Sequence, residues 1–176
     1  VTDIDKIQNW AGSGDYRSVL TIQWNTPDSL QQPTGDVTFL AWGYRWDPNT
    51  TPTGLDLIRA VAANDPRLFV VITQQWGGWT VKGFGYDGNG DGEFSVSNAS
   101  LTLDETDFQN GGVYVGSVND DFDGMTTANS QDLWMGGWYD AYATYWLGDS
   151  GFNVPSYFGY SSFLVDGRDL EDESWD

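Results

Sequence analysis

"TPTGLDLIRAVAANDPRLFVVITQQWGGWTVKGFGY", residues 51–86, carries a helix, its stop signal and two strands in one continuous reading. Thr53 stands where an N-cap belongs, Asp56 follows in the first turn, and Leu55, Ile58, Val61 and Ala62 recur at helical spacing. One amphipathic helix is therefore expected at about 53–64. Pro66 disfavours the helical conformation at Asp65, which sets the stop near Asn64. "RLFVVITQQ" (67–75) and "WTVKGFGY" (79–86) are rich in β-branched and aromatic residues and predict two strands, with Gly77-Gly78 as the turn between them.

Working outward, "RSVLTIQW" (17–24) and "DVTFLAWG" (36–43) predict two further strands across the loop "NTPDSLQQPTG". Downstream, "EFSVSNASLTL" alternates polar and apolar residues, "GGVYVGSV" (111–118) is a short strand, and "NDDFDGM" is an Asp-rich turn. Residues 133–147, "LWMGGWYDAYATYWL", are expected to form a long strand with a Gly-marked bend. The tail "SYFGYSSFLVDGRDLEDESWD" predicts a strand, a turn at Asp166-Gly167 and an end that frays into acidic residues. Many strands and one helix give an α+β, mostly β fold: an antiparallel or mixed sheet, β-grasp-like or sandwich, covered by that helix. The length of 176 residues and the lack of any fixed-period repeat or low-complexity linker point to a single domain, 1–176.

Composition narrows the chemistry. Twenty-six Asp and Glu against seven Lys and Arg leave a net charge of −19, which repels phosphate backbones and anionic lipid headgroups and attracts cations. Nucleic acid is not expected as a partner. The chain contains no Cys and no His, so thiol and Ser-His-Asp catalysis, the usual zinc sites and imidazole switching are excluded. Oxygen-ligated hard cations, carboxylate pairs and aromatic surfaces remain. No spacing among the acids singles out a glycosidase pair, and no Gly-rich stretch continues as a phosphate loop, so no enzymatic activity is expected. No apolar run reaches eighteen residues, so no membrane insertion is expected. No basic, apolar leader opens the chain, as in a mature form already cut, and the acidic, Lys-poor, Trp-rich composition suits an extracellular or cell-surface location.

One loop stands out, "YDGNGDGEFSVSN" (86–98). In an EF-hand-type calcium loop, ligands occupy positions 1, 3 and 5, a Gly turns the chain at 6, position 7 offers its carbonyl, and 9 and 12 close the shell. Those positions hold Asp87, Asn89, Asp91, Gly92, Glu93, Ser95 and Asn98, with Phe94 between as an anchor to the core. Ca2+ is the expected cofactor. Position 12 departs from the pattern, because Asn98 replaces a bidentate Glu; Asp104, Glu105, Asp107, Asp120, Asp121 and Asp123 are the acids considered for the missing ligand. Strands flank the loop, so no helix-pair sensor is implied. The competing reading is that Asp, Asn and Gly are simply turn residues. Asp121 and Asp123 form a weaker version of the pattern, with the same two alternatives.

Ten tryptophans exceed the need of one core of this size. Trp42, Tyr44 and Trp46 alternate along a strand and share one face, where they serve either as core or as a stacking platform for a glycan, a planar ligand or a neighbouring subunit. The cluster Trp134, Trp138, Tyr139, Tyr142, Tyr145 and Trp146 poses the same choice, and Trp138 and Trp146 are candidates for an interface.

Taken together, "FLAWGYRWD", "TGLDLIRAVAANDPRLFVV", "GFGYDGNGDGEF", "GGWYDAYATYWLGD" and "FGYSSFLVDGRDLEDESWD" resemble secreted bacterial proteins of unassigned role that often carry a C-terminal PEP-type sorting signal. Residues 1–176 contain no such tail, an expectation against membrane-linked export. The layout of helix, aromatic strand and closing Asp-Gly turn is also similar to the transcobalamin C-terminal-like, β-grasp family. The first resemblance implies a secreted surface or matrix protein that works by binding, with self-association into a filament or layer as the leading expectation. The second implies a planar or corrinoid ligand on the aromatic face.

Overall fold

The computed structural model describes residues 1–24, 38–139 and 143–176. The expected loop "NTPDSLQQPTG", the first two residues of the expected strand 36–43, and Tyr142 lie outside the described residues. A short 3-10 turn, Ile4–Lys6, precedes β1 (Trp10–Gly12), β2 (Tyr16–Trp24) and β3 (Thr38–Trp46). Then come α1 (Gly54–Asn64), β4 (Leu68–Gln75), β5 (Gly78–Tyr86), β6 (Ser95–Ser97) and β7 (Thr102–Asp104). The chain ends with β8 (Val113–Gly116), β9 (Thr126–Thr127), β10 (Leu133–Gly136), β11 (Trp146–Gly148), β12 (Phe158–Tyr160) and β13 (Ser174–Trp175). The fold is α+β and mostly β, with mixed sheets.

The helix forms where local signals place it. Thr53 Oγ1 accepts the Asp56 N–H at 3.3 Å, and the Asp56 carboxylate accepts the Thr53 N–H at 2.8 Å, a reciprocal capping box that satisfies two otherwise orphaned donors. Leu55, Leu57, Ile58, Val61 and Ala62 are buried. Asp65, in an extended conformation, ends the helix before Pro66.

Among the described residues the strands form three sheets, two of which pack on that helix while the third covers the far side of β4. The first is six-stranded, in the order β1-β3-β2-β13-β11-β12; the second is β10-β5-β4-β8; the third is β7-β6-β9. β4 explains the stacking. Its apolar run is continuous because both faces are covered. Leu68, Val70 and Ile72 face a core shared with α1, Leu20, Ile22, Trp24, Trp42 and Trp46, while Phe69 and Val71 face a second core with Phe94, Val96, Leu103, Phe108, Phe122 and Met125. Similarly, β2 sends Leu20 and Ile22 into the first core and Val19 into a third, with Ile4, Ile7 and Trp175.

Three expectations are corrected. The β4–β5 turn is not Gly77-Gly78: Gln75 pairs with Gly78, which leaves Trp76 and Gly77 as the two turn residues, both at positive φ (54° and 84°). A Cβ on Gly78 would lie 2.7 Å from a Leu164 methyl carbon and 2.8 Å from the Asp166 carboxylate, so both side chains would have to shift. Residues 133–147 are not one strand. Their described parts divide into β10, which pairs with β5, and β11, which pairs with β12 and β13 in another sheet.

The acidic terminus does not fray. β13 lies in the interior of the six-stranded sheet, parallel to β2 and antiparallel to β11. Trp175 is fully buried, and its indole N–H donates to the Gly151 carbonyl at 2.9 Å. Asp176 is buried as well, accepting from the Tyr145 hydroxyl at 2.5 Å and from Ser174 Oγ at 3.0 Å. Burial and the adjacent Asp176 push the Tyr145 hydroxyl above its ordinary pKa. Burial likewise raises the Asp176 carboxyl, against the opposing effect of the Tyr145 and Arg168 contacts.

Candidate metal loop and aromatic surfaces

The chain leaves β5 at Tyr86 and turns at once into the Asp-rich loop. Asp87 is only 2 % exposed, so its carboxylate sits on the inner side of the turn. It accepts the N–H of Gly90 at 2.6 Å and of Gly92 at 2.9 Å. Asn89 Oδ1 accepts the Asp91 N–H at 3.1 Å, Asp91 Oδ1 accepts the Glu93 N–H at 2.9 Å, and Asp91 Oδ2 accepts from the Asn89 amide at 2.7 Å. Gly90 and Gly92 take positive φ, which the tight turn requires of them. Phe94 then anchors the loop, 1 % exposed and stacked on Phe69 with ring centroids 4.3 Å apart. Asp87, Asn89, Asp91 and Glu93 are thus consecutive members of one wound loop.

Ser95 and Asn98 do not join them. Ser95 opens β6, where the backbone is extended and carries the chain away from the loop. Asn98 follows that strand, and its polar atoms are committed elsewhere. Its Oδ1 accepts the N–H groups of Ser100 and Leu101, and its amide donates to the carbonyls of Asp121 and Asp123 at 2.9 and 2.8 Å. Asn98 is a tether between two turns, not the twelfth-position ligand.

Five of the six acids considered for the missing ligand are occupied too. Asp104 and Asp107 cap their own turn, Asp120 accepts the Ser117 N–H, and Asp121 accepts the Asp123 N–H. Asp123 Oδ1 accepts the N–H groups of Trp138 and Tyr139 at 2.6 and 2.7 Å, so it organises an aromatic turn. Among the described residues, no three acidic side chains converge closely enough to hold an ion between them.

Asp132, which no sequence pattern marks, is the acid beside the loop. It is 6 % exposed, and its Oδ1 accepts the Gly88 N–H at 3.2 Å. Its Oδ2 is buried with no hydrogen-bond partner. Burial pushes the Asp132 carboxyl above its ordinary pKa, and Asp87 and Asp91 push it further.

The aromatic residues separate into core and surface. Trp42 and Trp46 are 3 % and 4 % exposed. Trp42 lies edge-to-face with Trp24 and donates its indole N–H to Asp65 at 2.8 Å, and Tyr44 is half-buried against Trp46. The platform expected at Trp42, Tyr44 and Trp46 is corrected accordingly: their shared face looks inward at α1. Two other groups are exposed. Trp76, 62 % exposed, and Trp138, 40 % exposed, have ring centroids 5.5 Å apart, and the Lys82 ammonium lies 4.6 Å from the Trp138 centroid. Burial lowers the Lys82 pKa, with Asp123 opposing. Trp146 and Tyr160 are paired across β11 and β12 with centroids 5.6 Å apart, and Tyr157, just before β12, is exposed. Trp76 and Tyr160 went unmarked in the sequence, because exposure of an aromatic side chain follows from sheet position, not from residue type.

Among the described residues no helix is long and apolar enough to cross a membrane. Comparison with protein-family models, with curated proteins and with solved structures finds no match.

Proposed function

We propose that this is a calcium-stabilised protein of the extracellular or cell-surface layer that works by binding, and that its first partner is a second copy of itself. The observation that carries this reading is the β12 edge. β12 is the terminal strand of the six-stranded sheet among the described residues, and it presents Tyr160 against Trp146, with Tyr157 exposed just before the strand. An edge strand offers backbone donors and acceptors to another chain, and exposed aromatics add apolar area to the contact. Copies at −19 repel one another, so screening by divalent cations should favour association. Sedimentation velocity at rising protein concentration should show larger species with Ca2+ than with chelator. Tyr160→Asp should return the protein to monomer while costing the fold only the edge-to-face contact with Trp146, about 0.5–1.5 kcal/mol. A wild-type monomer at every concentration, with and without Ca2+, would defeat the proposal.

A second reading, a neutral glycan on the Trp76–Trp138 ledge, is favoured by the backbone at Trp76. A left-handed conformation costs a bulky residue about 1–2 kcal/mol, where Asn or Gly would fit freely. Such strain at an exposed aromatic residue is a signal of use. Replacing Trp76 by Asn relieves the strain and removes an aromatic pair of about 0.5–1.5 kcal/mol, so stability should change by less than about 1 kcal/mol. Quenching of tryptophan fluorescence by neutral oligosaccharides should vanish in Trp76→Asn; quenching that persists unaltered would place the ligand elsewhere.

A further inference from the structure

We infer that the β8 edge is a receptor for an extended peptide of another protein, bound as an added strand beside α1 with an acidic side chain meeting Arg59. This edge belongs to a different sheet from β12, and the inference stands apart from self-association there.

The β4–β8 ladder fixes which backbone groups are spare. Among the described residues β8 is a terminal strand of its sheet, paired with β4 alone. The Val70 N–H donates to the Gly112 carbonyl at 2.8 Å, and Val70 stands opposite Val113 in parallel register. In such a ladder alternate residues turn their N–H and C=O toward the neighbour, so Gly112, Tyr114 and Gly116 face β4 while Val113 and Val115 face outward. Among the described residues no backbone hydrogen bond reaches Val113 or Val115 from that outer side. The strand, Val-Tyr-Val-Gly, carries neither the Lys nor the Pro that commonly blocks an exposed edge.

The helix supplies a second wall. Arg59, Ala60 and Ala63 of α1, with Asn110, Val113 and Val115, line an open groove of about 520 Å3. Val113 is buried and Val115 is 48 % exposed. A strand laid along β8 at the ordinary sheet spacing of about 4.8 Å satisfies both outward N–H and C=O pairs. Its alternate side chains fall against Ala60, Ala63 and Val115, a wall that suits small or β-branched residues.

Charge selects the occupant. The groove is lined by one cation and no acid, on a chain with 26 acidic and 7 basic residues. The Arg59 guanidinium lies 5.3 Å from the Trp79 ring centroid, and among the described residues no carboxylate forms an ion pair with it. One carboxylate on the peptide supplies that partner. A second copy of the chain would instead bring a net charge of −19 against an equal charge.

The probe is acetyl-Thr-Val-Glu-Val-Thr-amide, with affinity read by calorimetry and amide hydrogen exchange read by NMR. In the free protein the Val113 and Val115 N–H groups should exchange fast while those of Tyr114 and Gly116 are protected; saturating peptide should slow Val113 and Val115 at least about tenfold. Val115→Pro deletes an outward N–H and spares the ladder, so it should melt close to wild type and bind the peptide at least about tenfold more weakly. A peptide N-methylated at alternate amides makes the same test on unaltered protein and decides the matter if Val115→Pro folds poorly. Arg59→Gln should weaken the peptide about two- to fivefold and leave the affinity of its Gln-for-Glu counterpart unchanged. No binding of the peptide, or binding indifferent to both Val115→Pro and N-methylation, overturns the proposal. Val113 and Val115 amides that become protected as protein concentration alone rises would assign the groove to a second copy and overturn it as well.

Discussion

Trp175→Ala should destabilise the protein by about 3–5 kcal/mol, the cost of removing a fully buried large aromatic side chain. The whole stability of a domain of this size is about 5–15 kcal/mol, so the variant should lose about a fifth of its stability at the least and unfold at clearly lower urea concentration. Far-UV circular dichroism during urea titration gives the measurement without relying on the missing fluorophore. A loss below about 1 kcal/mol would mean that the terminal strand is not part of the cooperative core.

The effect is large because of where β13 sits. β1, β3 and β2 lie on one side of it, and β11 and β12 on the other. The Asp176 N–H donates to the Val19 carbonyl at 2.8 Å and the Thr21 N–H donates to the Asp176 carbonyl at 2.7 Å. Ser18 and Ser174 hydroxyls meet at 2.8 Å in a buried pair. Deleting 174–176 would therefore strip ladder partners from both halves of the sheet and open the core of Ile4, Ile7 and Val19. Trp175→Phe retains most of the apolar contact and loses the bond to Gly151, and should cost about 1 kcal/mol. The order wild type, Phe, Ala is then a graded test of packing at this position.

That terminus also shows what the sequence could not display. "EDESWD" reads as a solvated tail because four of its six residues are acidic, and a window average hides one tryptophan. Only the parallel pairing with β2, more than 150 residues away, makes a strand of it. Asp132 was hidden for the same reason: it lies 45 residues from Asp87, and the β10–β5 register alone brings them together. The legible parts are those decided locally. The capping box spans four residues, the helix stop is set by one proline, and the acidic and amide residues Asp87 to Glu93 fall within a single turn. Gly77-Gly78 looks like a turn, yet the β4–β5 register pairs Gly78 with Gln75 and places the turn on Trp76 and Gly77.

Phe94→Ala should cost about 3–5 kcal/mol in the presence of chelator, more than any single carboxylate substitution in the loop it follows. Phe94 is 1 % exposed, stacks on Phe69 at 4.3 Å and meets Phe108 edge-on at 6.0 Å. On its other side it rests on the β5 backbone: a Cβ on Gly85 would come within 2.2 Å of the ring. Phe94 thus fills a slot cut by a glycine between Phe69, Phe108 and the β5 backbone, so its truncation leaves a large cavity in the second core. Phe94→Leu should recover most of the loss, whereas Gly85→Ala should fail from the opposite direction by driving a methyl group into the ring. Because Phe94 directly follows Glu93, its removal also frees the outgoing limb of the loop, and amide hydrogen exchange at Gly88–Glu93 should accelerate in Phe94→Ala relative to wild type, both in EGTA. Faster exchange confined to β6 and β7, with loop amides as protected as before, would show that core packing and loop geometry are uncoupled.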